Sequence, residues 1–166
     1  MVGGETRRVA ARAITAEAFG PFGHVLATAP SAVAPEGRSP TAGAVFEVVT
    51  APGPTAAETH TVGLMERHPL STQAFVPLDR APYLVMVAPD AADGGPDLDR
   101  LAAFVVPGDV GVQYRVGLWH TPMTSLVAGA RLVLHVHKDG SAMDCEVVDV
   151  APVTVAFAVP PDRRPS

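Results

Sequence analysis

Three stretches of the sequence carry side chains whose types and spacing suit proton transfer or metal binding. The first runs Leu64-Met-Glu-Arg-His-Pro-Leu-Ser-Thr-Gln73. Alternate residues of a strand share a face, so Glu66 and His68 point the same way. Pro69 cannot donate to a ladder and ends that strand. Gln73 opens the next apolar run and can return to the same side, so that a carboxylate, an imidazole and an amide converge. The second stretch is Val116-Gly-Leu-Trp-His-Thr-Pro122, where the sole tryptophan, Trp119, precedes His120 in a turn-like setting between strands. A histidine beside an aromatic is often structural. It becomes functional if His120 and His68 face one cavity, where each ring can serve as acid, base or ligand. The third is Leu132-Val-Leu-His-Val-His-Lys138. His135 and His137 lie two apart on a β-prone run and share a face, which offers two nitrogens to one metal ion. The plain alternative is a solvent-facing pair at the polar end of an edge strand.

The elements that must position these residues are short strands. Seventeen prolines and fifteen glycines fall at short intervals, with β-branched runs between them. This punctuation suits strands joined by turns and excludes long helices. One short helix is predicted near the start, capped by Thr15, favoured by Glu17 in its first turn and stopped by Gly20-Pro21. Strands are predicted at 25–27, 44–50, 60–67, 73–77, 83–88, 101–106, 111–114, 131–138, 146–150 and 153–159. Residues 28–43, rich in Pro, Ala, Ser and Gly, read as a mobile loop, and 90–99 and 107–109 as turns. Phe19 to His24 reads as a packing corner with His24 exposed, and His60 lies near a strand start. Phe46, Phe75, Phe104 and Phe157 sit in apolar runs and are assigned to the core. Short strands at this spacing predict an all-β fold, a closed barrel or sandwich.

Composition bounds the function. The chain has 166 residues, enough for one domain with an ordinary core, read as 1–166 with 1–11 and 160–166 as flexible ends. Seventeen acidic residues face twelve basic ones, Lys138 is the only lysine, and no basic stripe exists, which excludes a nucleic-acid surface. The single cysteine, Cys145, cannot form an intrachain disulfide; it suits a reducing compartment and reads as a buried structural thiol. No apolar segment of signal length follows Arg7 and Arg8, and no run spans a membrane, so the expectation is a soluble, cytoplasmic protein. Neither a phosphate-cradling glycine loop nor a Gly-x-Ser-x-Gly elbow is present, against nucleotide chemistry and serine hydrolysis.

At these residues the chain resembles the ureidoglycolate lyase family. The resemblance rests on Ile14 to Gly23, on Glu66-Arg-His-Pro-Leu-Ser-Thr-Gln-Ala-Phe-Val-Pro-Leu78, on Leu84 to Pro89, on Gly111-Val-Gln-Tyr-Arg-Val-Gly-Leu-Trp-His-Thr-Pro122, and on Asp144-Cys145-Glu146. It implies a cupin-like β-barrel with one short N-terminal helix, a homodimer, and a lyase that cleaves ureidoglycolate to glyoxylate and urea in purine breakdown. Against the general cupin metal motif, Glu66, His68 and Gln73 fall where that motif carries His, His and Glu, and His120 falls at its distant third His. The sequence departs from the family at three places. Residues 28–43 lack its Asn-x-Gly stretch, Thr121 stands where it has a second His, and His137-Lys138 stands where it has Asp-Arg.

The resemblance implies the following roles. His120 is the base, Glu66 or His68 its acid partner, and Gln73 a hydrogen-bonding orienter. Lys138 or Arg115, with Trp119, would meet the substrate carboxylate, although Arg115 also reads as a solvated surface group. In a metal-dependent version His68, His120 and His137, with Gln73 or Glu66, hold a divalent ion. Two alternatives stay open: a repurposed cupin acting on another small carboxylic acid, and a non-catalytic module that binds one.

Overall fold

The structure, a computed structural model describing residues 6–27 and 32–160, is built almost wholly from strands. In chain order these are β1 (Arg7–Ala10), β2 (Arg12–Ala13), β3 (Gly23–Leu26), β4 (Gly43–Ala51), β5 (Thr59–Arg67), β6 (Gln73–Pro77) and β7 (Tyr83–Ala88). They continue as β8 (Ala102–Val106), β9 (Gly111–Tyr114), β10 (Trp119–His120), β11 (Thr124–Ser125), β12 (Ala130–Lys138) and β13 (Glu146–Ala156). The one α-helix among the described residues is α1 (Ala16–Phe19). Its start is as expected: the Thr15 hydroxyl accepts from the Ala18 N–H, and Glu17 occupies the first turn. Two sheets face each other. One runs β1-β13-β5-β10-β7-β8-β2, with β11 also on β7, and the other runs β3-β9-β6-β12-β4. Together they make a nearly closed, cupin-like β-barrel.

The fully apolar β7 shows how the barrel is held. Tyr83, Val85 and Val87 point into the space between the sheets, where Phe75, Phe104, Val112, Tyr114, Leu134 and Val136 also gather. Leu84, Met86 and Ala88 point the other way into a second core with Val62, Trp119, Val155 and Phe157. A strand buried on both faces has no polar alternation, and β7 has none. Phe19 and Phe22 close the barrel against Phe104, with ring centroids 5.6 and 6.1 Å away.

Several sequence expectations are corrected. Arg7–Ala10, expected in a loose end, form β1 alongside β13, and Val9 packs on the second core. Two strands were expected around Pro152. Instead β13 is continuous, with a register shift between Asp149 and Val153 that takes up the proline's missing donor. Residues 28–31 of the expected mobile loop lie outside the described residues, but 36–38 are held. The Glu36 N–H donates to Thr72 Oγ1 (2.9 Å), the Arg38 N–H to the Leu70 carbonyl (2.7 Å), and Gly37 bridges Ser71. Phe46, assigned to the core, is 72% exposed, because the inward positions of β4 are Val45 and Val49.

Candidate active site

The site lies where β10 is wedged between β5 and β7. Trp119 and His120, expected in a turn-like setting between strands, instead pair with Ala88 and Val87 of β7, and His120 sits directly opposite Glu66 of β5. Alternation then sends neighbouring side chains to opposite faces. Trp119 goes into the second core, where its indole N–H donates to the Gly94 carbonyl (3.2 Å) and the Arg67 guanidinium stacks on its ring. His120 goes into the barrel. Its Nε2 lies 3.4 Å from Glu66 Oε1, close but without the alignment of a hydrogen bond.

His68 follows the end of β5 on the same side as Glu66, as the alternation predicts. Its ring stacks on that of His120 with centroids 5.4 Å apart and planes 29° from parallel. Glu66, His68 and His120 each offer one ligand atom, and these atoms all lie within 4.8 Å of one another. The backbone fixes which atoms those are. His68 Nδ1 lies 2.7 Å from the Asp144 carbonyl and His120 Nδ1 lies 2.8 Å from the Leu118 carbonyl. A carbonyl only accepts, so each Nδ1 carries a proton, and in the neutral ring Nε2 is left with the lone pair. Both Nε2 atoms are buried without a hydrogen-bond partner.

Burial and charge set the protonation states. The His120 side chain holds the Glu66 carboxyl below its ordinary value, against the opposing effect of desolvation. Burial, reinforced by His120, lowers His68, which keeps its ring neutral. Gln73 opens β6 with its amide buried and its Oε1 unpartnered. Its cross-strand neighbour is Tyr114 of β9, whose ring packs 4.6 Å from that of His120. Tyr114 is a site residue that the sequence reading missed. The pairing of β6 with β9 that brings it beside Gln73 joins strands distant in sequence and left no signal there.

The remaining expected site residues divide by strand parity. Lys138 shares the inward face of Leu134 and Val136, bonds Glu47 Oε1 at 3.0 Å, and is near enough to His68 to disfavour its protonation. His137 and His135 take the outward face of the same strand, so the structure does not bring His137 to the buried group. Arg115 is also outside: its Nε donates to the Pro21 carbonyl, and it lines a cavity of about 260 Å³ with His24, Arg38 and Gln113 on the barrel's outer side. Trp119 faces away, as described. Cys145, read as buried, is exposed with Sγ 3.9 Å from Glu66 Oε2, and partial desolvation and that carboxylate push its thiol up.

The donor set fits a divalent transition ion: two imidazole lone pairs and a carboxylate, with both imidazoles oriented by backbone carbonyls. A small two-sheet barrel with such a group between its sheets defines a cupin-type protein with a site for acid–base or metal chemistry. Within that class the chain belongs to the ureidoglycolate lyase family, whose profile matches residues 6–156. It is similar to ureidoglycolate lyases of Agrobacterium fabrum (38% identity over 132 residues, 70% of this chain and 76% of the relative) and Pseudomonas syringae (31% over 160 residues, 84% and 88%). It is also similar to that of Schizosaccharomyces pombe, at 41% identity over 91 residues, 52% of this chain. That match spans about half the length of the yeast relative, 48%. Among the described residues no helix is long and apolar enough to cross a membrane.

Proposed function

We propose that the protein cleaves the C–N bond of ureidoglycolate, giving glyoxylate and urea. The observation that carries this reading is the unpartnered, buried Nε2 of His120 facing Glu66, with a second free imidazole nitrogen beside it. The substrate is a carbinolamide: one carbon bears a hydroxyl, a carboxylate and the ureido nitrogen. His120 Nε2 takes the hydroxyl proton, the O–H electrons form the new C=O bond, and the C–N bond breaks with its pair leaving on nitrogen. The same proton, carried on the imidazolium, is delivered to that nitrogen. Glu66 steadies the imidazolium during the transfer. Lys138 meets the carboxylate as it swings from Glu47, and Gln73 orients the ureido group. The test is release of glyoxylate from ureidoglycolate. Wild-type protein that releases none, while folded, overturns the reading.

Were a divalent ion bound, Glu66, His68 and His120 would hold it, and it would supply Lewis-acid polarisation of a 2-hydroxy acid. Metal analysis of untagged protein tests this: stoichiometric metal that is lost in Glu66→Gln and retained in His137→Ala supports the set, and absence of metal throughout refutes it. A homodimer finds a fitting surface on the outer face of the five-stranded sheet. There Phe46 and Val48 of β4, Val76 of β6 and Leu78 just after it are exposed, flanking Val133 and His135 of β12. A flat apolar face of this kind is self-complementary across a two-fold axis. Phe46→Glu should convert the dimer to monomer in sedimentation velocity, and an unchanged mass rejects this face. The single cysteine suits a reducing, cytoplasmic setting.

A further inference from the structure

The reacting group is rich in acceptors and poor in donors. Glu66 offers carboxylate oxygens, and the two Nε2 atoms offer lone pairs. A substrate whose reacting carbon turns from hydroxyl to carbonyl builds negative charge on one oxygen, and that oxygen needs a donor fixed in place. The chain has only two tyrosines, and they differ in one respect. Both are buried on inward-facing strand positions. The Tyr83 hydroxyl donates to the Val110 carbonyl at 2.8 Å. The Tyr114 hydroxyl has no hydrogen-bond partner among the described residues.

We infer that the Tyr114 phenol donates a hydrogen bond to the substrate oxygen on the reacting carbon while His120 takes its proton. The inference rests on the lyase reading given above and adds a residue to it. Three observations converge. The Tyr114 ring lies against His120, at 4.6 Å between centroids. Its backbone pairs with Gln73, so the two side chains emerge together from adjacent strands. An unsatisfied hydroxyl in a buried setting costs stability, which a catalytic role explains and a packing role does not. Burial first, and then Glu66, pushes the phenol far above its ordinary range. It keeps its proton and can only lend it.

Tyr114→Phe removes the donor and keeps the ring against His120. With wild type releasing glyoxylate, kcat of the variant should fall on the order of 10²-fold, the usual loss for one such donor. KM should stay within about threefold, because the bond strengthens as charge develops. The melting temperature should hold or rise. A kcat within about twofold of wild type overturns the inference and leaves the lyase reading standing. A wild type without glyoxylate release overturns that reading and the inference with it. Should the variant fail to fold, 3-fluorotyrosine protein gives a second measurement, its two fluorine resonances assigned through Tyr83→Phe. The Tyr114 resonance should move on saturation with glyoxylate, and a resonance that stays in place overturns the inference.

Discussion

His68 and His120 come from distant stretches of the chain, whereas His135 and His137 are near neighbours on one strand. The ring centroids are almost equally close in the two pairs, 5.4 Å against 5.2 Å. Their surroundings differ. In the first pair each Nδ1 meets a backbone carbonyl and each Nε2 is left buried and free beside Glu66. In the second pair His135 packs on the exposed Phe46 ring, 4.7 Å away, and His137 lies beneath the backbone of Gly37. The cause is strand parity. Leu132, Leu134 and Val136 claim the inward face of β12, so the histidines between and after them look outward. Two residues on one face of a strand make a site only if that face looks into the cavity, and the apolar partners of the strand decide this.

The largest test of this contrast is turnover. His120→Ala removes the proton acceptor, and glyoxylate release should fall by about 10²- to 10⁴-fold, the range of one general acid–base group. His137→Ala should keep activity within about twofold. Equal losses in both variants would mean that the two histidine pairs do not differ in function.

A smaller effect separates the pairs through pH. Glu66 and His68 are both held below their ordinary values of 4.5 and 6.5 in the folded protein. Below pH 6.5 the unfolded chain therefore binds more protons than the native one, and stability falls as the pH falls. His68→Asn removes part of this slope, so its melting temperature should drop less than that of wild type between pH 7 and pH 5. His135 is also lowered, by desolvation and then by His137, but it is only half-buried. His135→Asn should leave the slope nearly unchanged. A His135 effect as large as that of His68 would contradict the burial on which the contrast rests.

Much of the barrel was legible because period-two apolar runs bounded by Pro and Gly have few other readings. Glu66, His68 and the return at Gln73 followed from the same alternation. Three things did not follow. Strand β10 has two residues, too few for a period, and it is a strand only because β5 and β7 sit on either side. The outward turn of His137 depends on which face of β12 packs against the opposing sheet. The proton positions on His68 and His120 depend on the carbonyls of Asp144 and Leu118, and backbone partners leave no mark in a sequence. The same parity reinterprets two departures from the family. Thr121, one residue past the inward His120, faces a groove with His60 and Met123, and His137 faces outward, so both changes lie outside the reacting group. Lys138 keeps a cation on the inward side where the family has Arg.

The smallest expected effect probes the second pair alone. A Cβ on Gly37 would stand 2.7 Å from His137 Cγ, closer than carbon atoms approach. The segment around Gly37 is tied to Thr72, Leu70 and Ser71, so it cannot easily lift away. Gly37→Ala should therefore act as an overpacked contact costing about 1–3 kcal/mol. In a chain of this length that lowers the melting temperature by roughly 2–4 °C for each kcal/mol, with turnover unchanged. The double variant Gly37→Ala with His137→Ala should recover most of the loss, because the clashing ring is gone. Recovery would show that His137 serves as a packing surface for the 36–38 segment. Additive losses would mean that the ring has another duty, and the contrast between the two histidine pairs would have to be redrawn.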